Sequence, residues 1–417
     1  MNAWRLGYTL LLYALLPHAL WHLWWRARRQ PEYLEHVAER FGRYAIPVAR
    51  PLIWVHAVSV GETRAAEPLI HALQRQYPKH RILLTHMTPT GRATGATLFG
   101  EGVLRCYLPY DFPFAVERFL AYFQPVCGIL LETEIWPNLI RACRRRGIPI
   151  YLVNARLSEK SFRSYARFRP FAASCLRELD GIAAQGGADA ERLKALGAPA
   201  VEVTGNLKFD VAPDALQVAQ GGAWRARWGR SRPVLLCAST REGEESLLLQ
   251  ALRQVDIPDL LTVIVPRHPQ RFDEVAALVE RAGIPYQRRS DNQPVAAHTR
   301  IVLGDSMGEM AAYYAACDIA IIGGSLLPFG AQNLIEACAV GRPVIVGPSV
   351  YNFAEATQLA VDAGAALMVA DAPGAITAAR ALLLDPARMR HVGQAGLDFT
   401  RGHQGATART IGLVKVN

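Results

Sequence analysis

Short, unbroken apolar runs recur along this chain, and most are separated by stretches with helical periodicity. Runs at 52–56, 82–87, 103–108, 127–131, 148–153, 181–184 and 201–204 show no polar alternation, so strands formed there must be covered on both faces. Helical patterns at 65–76, 114–123, 138–146 and 188–196 can supply that cover. Few folds satisfy both conditions; a doubly wound α/β sheet of parallel strands does. The pattern weakens over 210–222, around Pro213 and a glycine pair, and then restarts. Strand-like runs follow at 234–238, 261–265, 301–303, 319–322, 343–346 and 366–369, with helical patterns at 243–254, 272–282, 309–316, 333–340 and 354–363. Two doubly wound domains facing a cleft are expected, over 31–212 and 213–417. A length of 417 residues suits two or three domains, and 51% apolar residues argue against disorder.

The first run breaks at Ser59-Val60-Gly61, and a helical pattern follows. Glu62 therefore falls on a strand-to-helix turn at the carboxyl end of a parallel strand, where open α/β sheets keep their ligand crevices. A carboxylate there can remove a proton from an acceptor hydroxyl; the plainer reading is a charge favouring a helix dipole. In the second half, Ser239-Thr240, Pro266-Arg267-His268, Asp305 through Glu309 and Gly323-Gly324-Ser325 each follow a strand. Asn333 through Glu336 follow on a helix. Small residues let backbone N–H groups approach a phosphate, and helix starts add positive dipole ends. Together they read as a nucleotide site, with Glu336 suited to ribose hydroxyls and Arg267 to base or phosphate.

No G-x-G-x-x-G fingerprint, P-loop or D-x-D is present. The nearest paired acid, Glu132 with Glu134, can bind Mg²⁺. A nucleoside monophosphate leaving group carries less charge than a diphosphate, and helix N-termini with Arg or Lys can neutralise it. The reading leans to a mechanism without metal or other cofactor. Seven cysteines are scattered without a C-x-x-C pair, which indicates neither a zinc site nor a disulfide framework.

The net charge of +10 is concentrated over 141–177, where ten Lys or Arg residues meet one acid, Glu159. No nucleic-acid-binding motif accompanies the patch, which favours an acidic membrane surface over nucleic acid. Residues 6–25 lack Asp, Glu, Lys and Arg, and Arg26, Arg28 and Arg29 follow. A membrane anchor is expected over 1–30, spanning or lying in the interface, with the body held on the cytoplasmic side. A short amphipathic helix is expected over 31–44.

With these residues in hand, the chain resembles the 3-deoxy-D-manno-octulosonic acid (Kdo) transferases of lipopolysaccharide assembly. The matching pieces are His-Ala-Val-Ser-Val-Gly-Glu at 56–62, Leu-Glu-Thr-Glu-Ile-Trp-Pro-Asn at 131–138 and Gly-Asn-Leu-Lys-Phe-Asp at 205–210. Pro-Arg-His-Pro at 266–269, Asp-Ser-Met-Gly-Glu-Met at 305–310 and Gly-Gly-Ser-Leu-x-Pro at 323–328 follow in family order. The resemblance implies a GT-B-like fold of two Rossmann-like domains, the first binding acceptor and the second CMP-Kdo. It implies inverting, metal-independent transfer of Kdo from CMP-Kdo to a lipid A precursor at the cytoplasmic face of the inner membrane. Glu62 is then the general base, Glu132 and Lys208 stabilise the transition state, and Pro266, Arg267, His268, Met307, Gly308, Glu309, Asn333, Leu334, Ile335 and Glu336 hold CMP. Phe329-Gly330-Ala331-Gln332 departs from a loop that family members often make richer in glycine and histidine. Two rivals are an epimerase or hydrolase acting on a soluble sugar nucleotide, and a tethered nucleotide-binding protein without catalysis.

Overall fold

The computed structural model describes residues 3–28, 30–48 and 50–416. Among these residues, every ladder of the two seven-stranded sheets is parallel. The first sheet contains β1 (Leu52–His56), β2 (Arg81–His86), β3 (Val103–Tyr107), β4 (Cys127–Leu131), β5 (Ile150–Ala155), β6 (Gly181–Ala184) and β7 (Glu202–Val203). Its order is β3-β2-β1-β4-β5-β6-β7. The chain thus winds outward from β1 in one direction and then from β4 in the other.

Every side chain of β1 is buried, and successive residues serve opposite faces of the sheet. Leu52 and Trp54 enter one apolar layer, Ile53 and Val55 the other. Burying each such side chain contributes roughly 1.5–3 kcal/mol. Glycine at 128 on the neighbouring strand makes room for the indole; a Cβ there would lie 2.7 Å from the Trp54 ring.

The second sheet contains β8 (Val234–Thr240), β9 (Leu261–Pro266), β10 (Tyr286–Arg288), β11 (Ile301–Leu303), β12 (Ile319–Ile322), β13 (Val344–Val346) and β14 (Ala366–Met368). Its order is β10-β11-β9-β8-β12-β13-β14, again parallel throughout. Here the winding reverses between β8 and β12.

The chain divides into two compact units, one running up to Val211 and resuming at Gln404, the other spanning Ala212–His403. The sequence reading placed the C-terminal end in the second unit. Instead the helix Ala406–Leu413 packs on the first, because Asp210 accepts hydrogen bonds from the backbone of Gly405 at 2.7 Å and Thr407 at 2.5 Å. The stretch read as a linker is largely the helix Ala215–Trp228. Gly221 sits inside it because the helix crosses another closely; a Cβ at 221 would lie 2.3 Å from the Ala312 carbonyl oxygen.

Residues 31–44 form two 3-10 turns, Pro31–Leu34 and Val37–Phe41, rather than one amphipathic helix. His36 and Gly42, both in the left-handed region, bracket the second turn and break any continuous α-helical path. The N-terminal helix Ala3–Ala27 does form. No helix among the described residues is long and apolar enough to cross a membrane, so the expected span is not supported. Pro17, His18 and His22 dilute its apolar character, and its first turns are tied to the first unit. Arg5 pairs with Glu178 at 3.0 Å, and the Tyr8 hydroxyl donates to Asp111 at 3.0 Å.

Candidate active site

In the first unit the winding reverses between β1 and β4, the place where a doubly wound sheet opens a crevice at its carboxyl ends. Glu62 follows β1 and Glu132 follows β4, so two of the expected residues flank that point. The helix Val60–Gln76 begins five residues earlier than the helical pattern read at 65–76, and Ser59 is its N-cap residue. This places Glu62 in the first turn, bent back over the cap. Its Oε2 accepts the Val58 N–H at 2.9 Å and its Oε1 accepts the Ser59 hydroxyl at 3.1 Å. Both bonds favour the carboxylate. Burial outweighs them, and with the charges of Glu132 and Glu134 it pushes Glu62 up to about 8.

Glu132 has φ +57°, an uncommon conformation for a residue other than glycine. Its backbone N–H stays in register with Val153 across the strand gap, at 3.0 Å, while its side chain meets Lys208 Nζ at 3.0 Å. Both partners of that ion pair are largely buried. Lys208 sits on a 3-10 turn, Leu207–Asp210, pinned by Asn206, which accepts the Lys208 N–H, and by Asn154, which accepts the Leu207 N–H, each at 3.0 Å. Asn154 also lies at positive φ, +51°. Such conformations cost on the order of 1–3 kcal/mol and persist only where the surroundings impose them.

Glu134 accepts a 2.7 Å hydrogen bond from the Trp136 indole and lies 3.8 Å from Nε2 of the fully buried His56. His56 itself binds Thr85 across the sheet through Nδ1. The histidine of the 56–62 motif is therefore a strut between β1 and β2.

In the second unit the corresponding reversal lies between β8 and β12. Ser239, near the end of β8, adopts φ +56°, and Gly323 follows β12 so closely that a Cβ there would lie 2.3 Å from the Ser239 carbonyl oxygen. Pro266 ends β9. Arg267 donates its backbone N–H to Thr240 at 2.9 Å and its Nε to Gln332 at 3.2 Å. Gln332 in turn donates its backbone N–H to Gly323 at 3.0 Å. Residues 240, 267, 323 and 332 are thereby laced into one set of loops. Burial, then the charges of Arg241, Arg267 and Arg271, push the His268 imidazole down.

Met307 is exposed and Gly308 takes φ +81°, so this loop offers a free side chain and open backbone. Glu309 is already engaged, accepting from Arg289 at 3.0 Å and from Ser306. Asn333 donates to Glu336 at 2.9 Å and accepts the Ile335 N–H at 3.1 Å. Leu334 and Ile335 are buried, so their side chains serve the core and only their backbone can reach a ligand.

Sequence reasoning missed Glu244. This fully buried carboxylate accepts the N–H groups of Arg241 at 2.8 Å, Gly324 at 2.7 Å and Leu326 at 3.0 Å. It ties the loop after β8 to the loop after β12. Glutamate in the first turn of a helix looks like dipole decoration, and only the fold brings its three partners together. The loop 329–332 also proves specific, with Ala331 at φ +63° and the Arg241 guanidinium 4.5 Å above the Phe329 ring.

Residues 35–211 match a family model described as 3-deoxy-D-manno-octulosonic-acid transferase (kdotransferase). A relative from Bordetella pertussis, 3-deoxy-D-manno-octulosonic acid transferase, is 47% identical over 97% of each chain. One of the same name from Haemophilus influenzae is 36% identical over 99% of this chain and 98% of its own. Among solved structures, a UDP-GlcNAc 2-epimerase from Neisseria meningitidis aligns with TM-score 0.61 at 15% identity, over 87% of this chain and 99% of its own. That likeness shows a shared fold of two parallel-sheet α/β domains. The Bordetella and Haemophilus relatives decide the family: the chain belongs to the 3-deoxy-D-manno-octulosonic acid transferases, glycosyltransferases of lipopolysaccharide biosynthesis.

Proposed function

We propose that this transferase moves Kdo from CMP-Kdo to a lipid A precursor with inversion, Glu62 acting as general base. The observation that carries the reading is the carboxylate at the β1/β4 reversal, held by Val58 and Ser59 and pushed up to about 8. A base of that strength is matched to a hydroxyl that gains acidity only as it attacks. Glu62 takes the acceptor proton as the hydroxyl oxygen bonds to the anomeric carbon of Kdo. The bond from that carbon to the phosphate oxygen breaks, and CMP leaves with the electron pair. The Glu132–Lys208 pair, pre-formed at 3.0 Å, supplies fixed charge beside the reacting groups without reorganisation.

In the second unit, Arg267, His268, the open backbone at Met307-Gly308 and the Asn333–Glu336 pair are the proposed cytidine and phosphate contacts. Glu309 acts by fixing Arg289 and Ser306 rather than by donating to the ligand. The N-terminal helix lies in the membrane interface rather than through the bilayer. Trp4, Leu10, Leu11 and Trp21 are each about half exposed on it, and the cytoplasmic leaflet of the inner membrane supplies the acceptor.

The test is product analysis. CMP-Kdo and a tetra-acylated lipid A precursor should yield a Kdo-bearing lipid whose anomeric configuration, read by NMR, is opposite to the donor's. Retention of configuration, or consumption of the donor with no lipid product, defeats the proposal.

A further inference from the structure

Under the first turns of the N-terminal helix lies a cavity of about 500 Å³, lined by none of Glu62, Glu132, Glu134 and Lys208. It exists because the helix is docked at spaced points: Arg5 on Glu178, Tyr8 on Asp111, and Thr9 on Asn138 at 3.1–3.2 Å. Arg5, Arg141 and Arg145 line it, with Leu6, Pro113 and Ala142 as apolar wall.

Its charges do not balance. Arg5 and Arg141 share one carboxylate, Glu178, each at 3.0 Å. Arg146 and Arg145 share another, Glu117, at 2.6 and 3.9 Å, and the Arg145 side chain stays 67% exposed. Three guanidiniums, Arg5, Arg141 and Arg145, thus line the cavity with two carboxylates, Glu117 and Glu178. Arg5 is 8% exposed and its Nε has no hydrogen-bond partner among the described residues. Arg5 is already paired at both Nη atoms with Glu178, so the groups left open to a further anion at this cavity are the half-exposed Arg141 and the more exposed Arg145. The outer face of the same helix carries the exposed rings and leucines, among them Trp4 and Leu10. An anion entering here can therefore keep an attached acyl chain against apolar surface.

We infer that this cavity is a headgroup site for an anionic membrane phospholipid, with the phosphate held by Arg141 and Arg145 over Arg5. The lipid is distinct from the acceptor; bound here, it fixes the docked helix and orients the first unit on the bilayer. The inference rests on the enzyme working at a membrane surface, and it is independent of Glu62.

The experiment is co-sedimentation of the full chain with three vesicles: phosphatidylcholine alone, the same with phosphatidic acid, and the same with oleate at matched surface charge. The site predicts tighter binding to phosphatidic acid than to oleate. R141Q/R145Q should lower the phosphatidic acid affinity about tenfold or more, given the worth of basic side chains at an anionic surface. R388Q/R390Q, which removes equal exposed charge from the second unit, should not. Ser174→Phe, filling the cavity without touching charge, should copy the first variant. Turnover of detergent-dispersed acceptor should be unchanged in R141Q/R145Q. Equal binding to phosphatidic acid and oleate vesicles overturns the site, and so does equal loss in both arginine pairs. Displacement of the vesicle-bound protein by inorganic phosphate overturns the lipid as its source. A raised acceptor KM in R141Q/R145Q overturns the separation from the acceptor and leaves the Glu62 reading standing.

Discussion

Replacing Glu132 by glutamine should shift the pH at which the enzyme switches on. Glu62 is pushed up to about 8 by burial first and by the Glu132 charge next. On the proposed mechanism the ionised form is the active base, so activity in kcat/KM should rise with pH through about 8, with roughly a tenth of Glu62 ionised at neutral pH. E132Q removes a negative neighbour and releases Lys208 from its 3.0 Å ion pair. Both changes favour the Glu62 carboxylate. A single charge in a partly buried site is worth on the order of 1–2 kcal/mol, about one pH unit. The midpoint should therefore fall toward 7. The plateau should also fall, because the same substitution removes half of the proposed charge pair. The assay is transfer to a lipid A precursor at low acceptor concentration, across pH, with ionic strength fixed. A midpoint that stays or rises would refute the coupling between the two carboxylates, whatever happens to the plateau.

Two further outcomes follow from packing in the second unit. Gly323→Ala places a methyl group 2.3 Å from the Ser239 carbonyl oxygen; overpacking of that kind costs about 1–3 kcal/mol. Calorimetry should show Tm lowered by several degrees, with weaker CMP binding by titration. Glu244→Gln leaves three backbone N–H groups facing an amide in place of a carboxylate. Loss of about 2–3 kcal/mol in urea unfolding is expected, since hydrogen bonds to charged groups are the stronger kind. Nucleotide affinity should fall with it, because the Gly323-Gly324 loop loses its tie.

Most of the fold was legible because parallel strands buried on both faces write continuous apolar runs. The run at 52–56 is β1 residue for residue. Tyr286–Arg288, by contrast, is a half-buried edge strand with two polar residues of three, and it carries no such signature. The helix Ala215–Trp228 was masked by Gly221-Gly222, whose usual meaning is a turn; here Gly221 serves a close helix crossing. The return of Ala406–Leu413 to the first unit depends on Asp210, nearly two hundred residues away, and local periodicity cannot report it. At the site, residues following strands were readable because parallel topology gathers the strands' carboxyl ends on one side of a sheet. Glu244 and the left-handed backbone at Glu132 were not, since both belong to three-dimensional closure rather than to any local pattern. Twenty residues without Asp, Glu, Lys or Arg left a spanning and an interfacial helix both open; the helix forms, and no described helix is long and apolar enough to cross a membrane.

The most direct test of the catalytic reading is Glu62→Gln, with CMP affinity and transfer to the lipid A precursor measured on the same preparation. The shape of the turn is kept, since the amide oxygen can still accept the Val58 N–H. CMP affinity should match that of the unmodified enzyme, while kcat falls about 10²–10⁴-fold and its dependence on pH near 8 disappears. Turnover within a few-fold of the unmodified enzyme, still rising through pH 8, would mean that another group takes the proton.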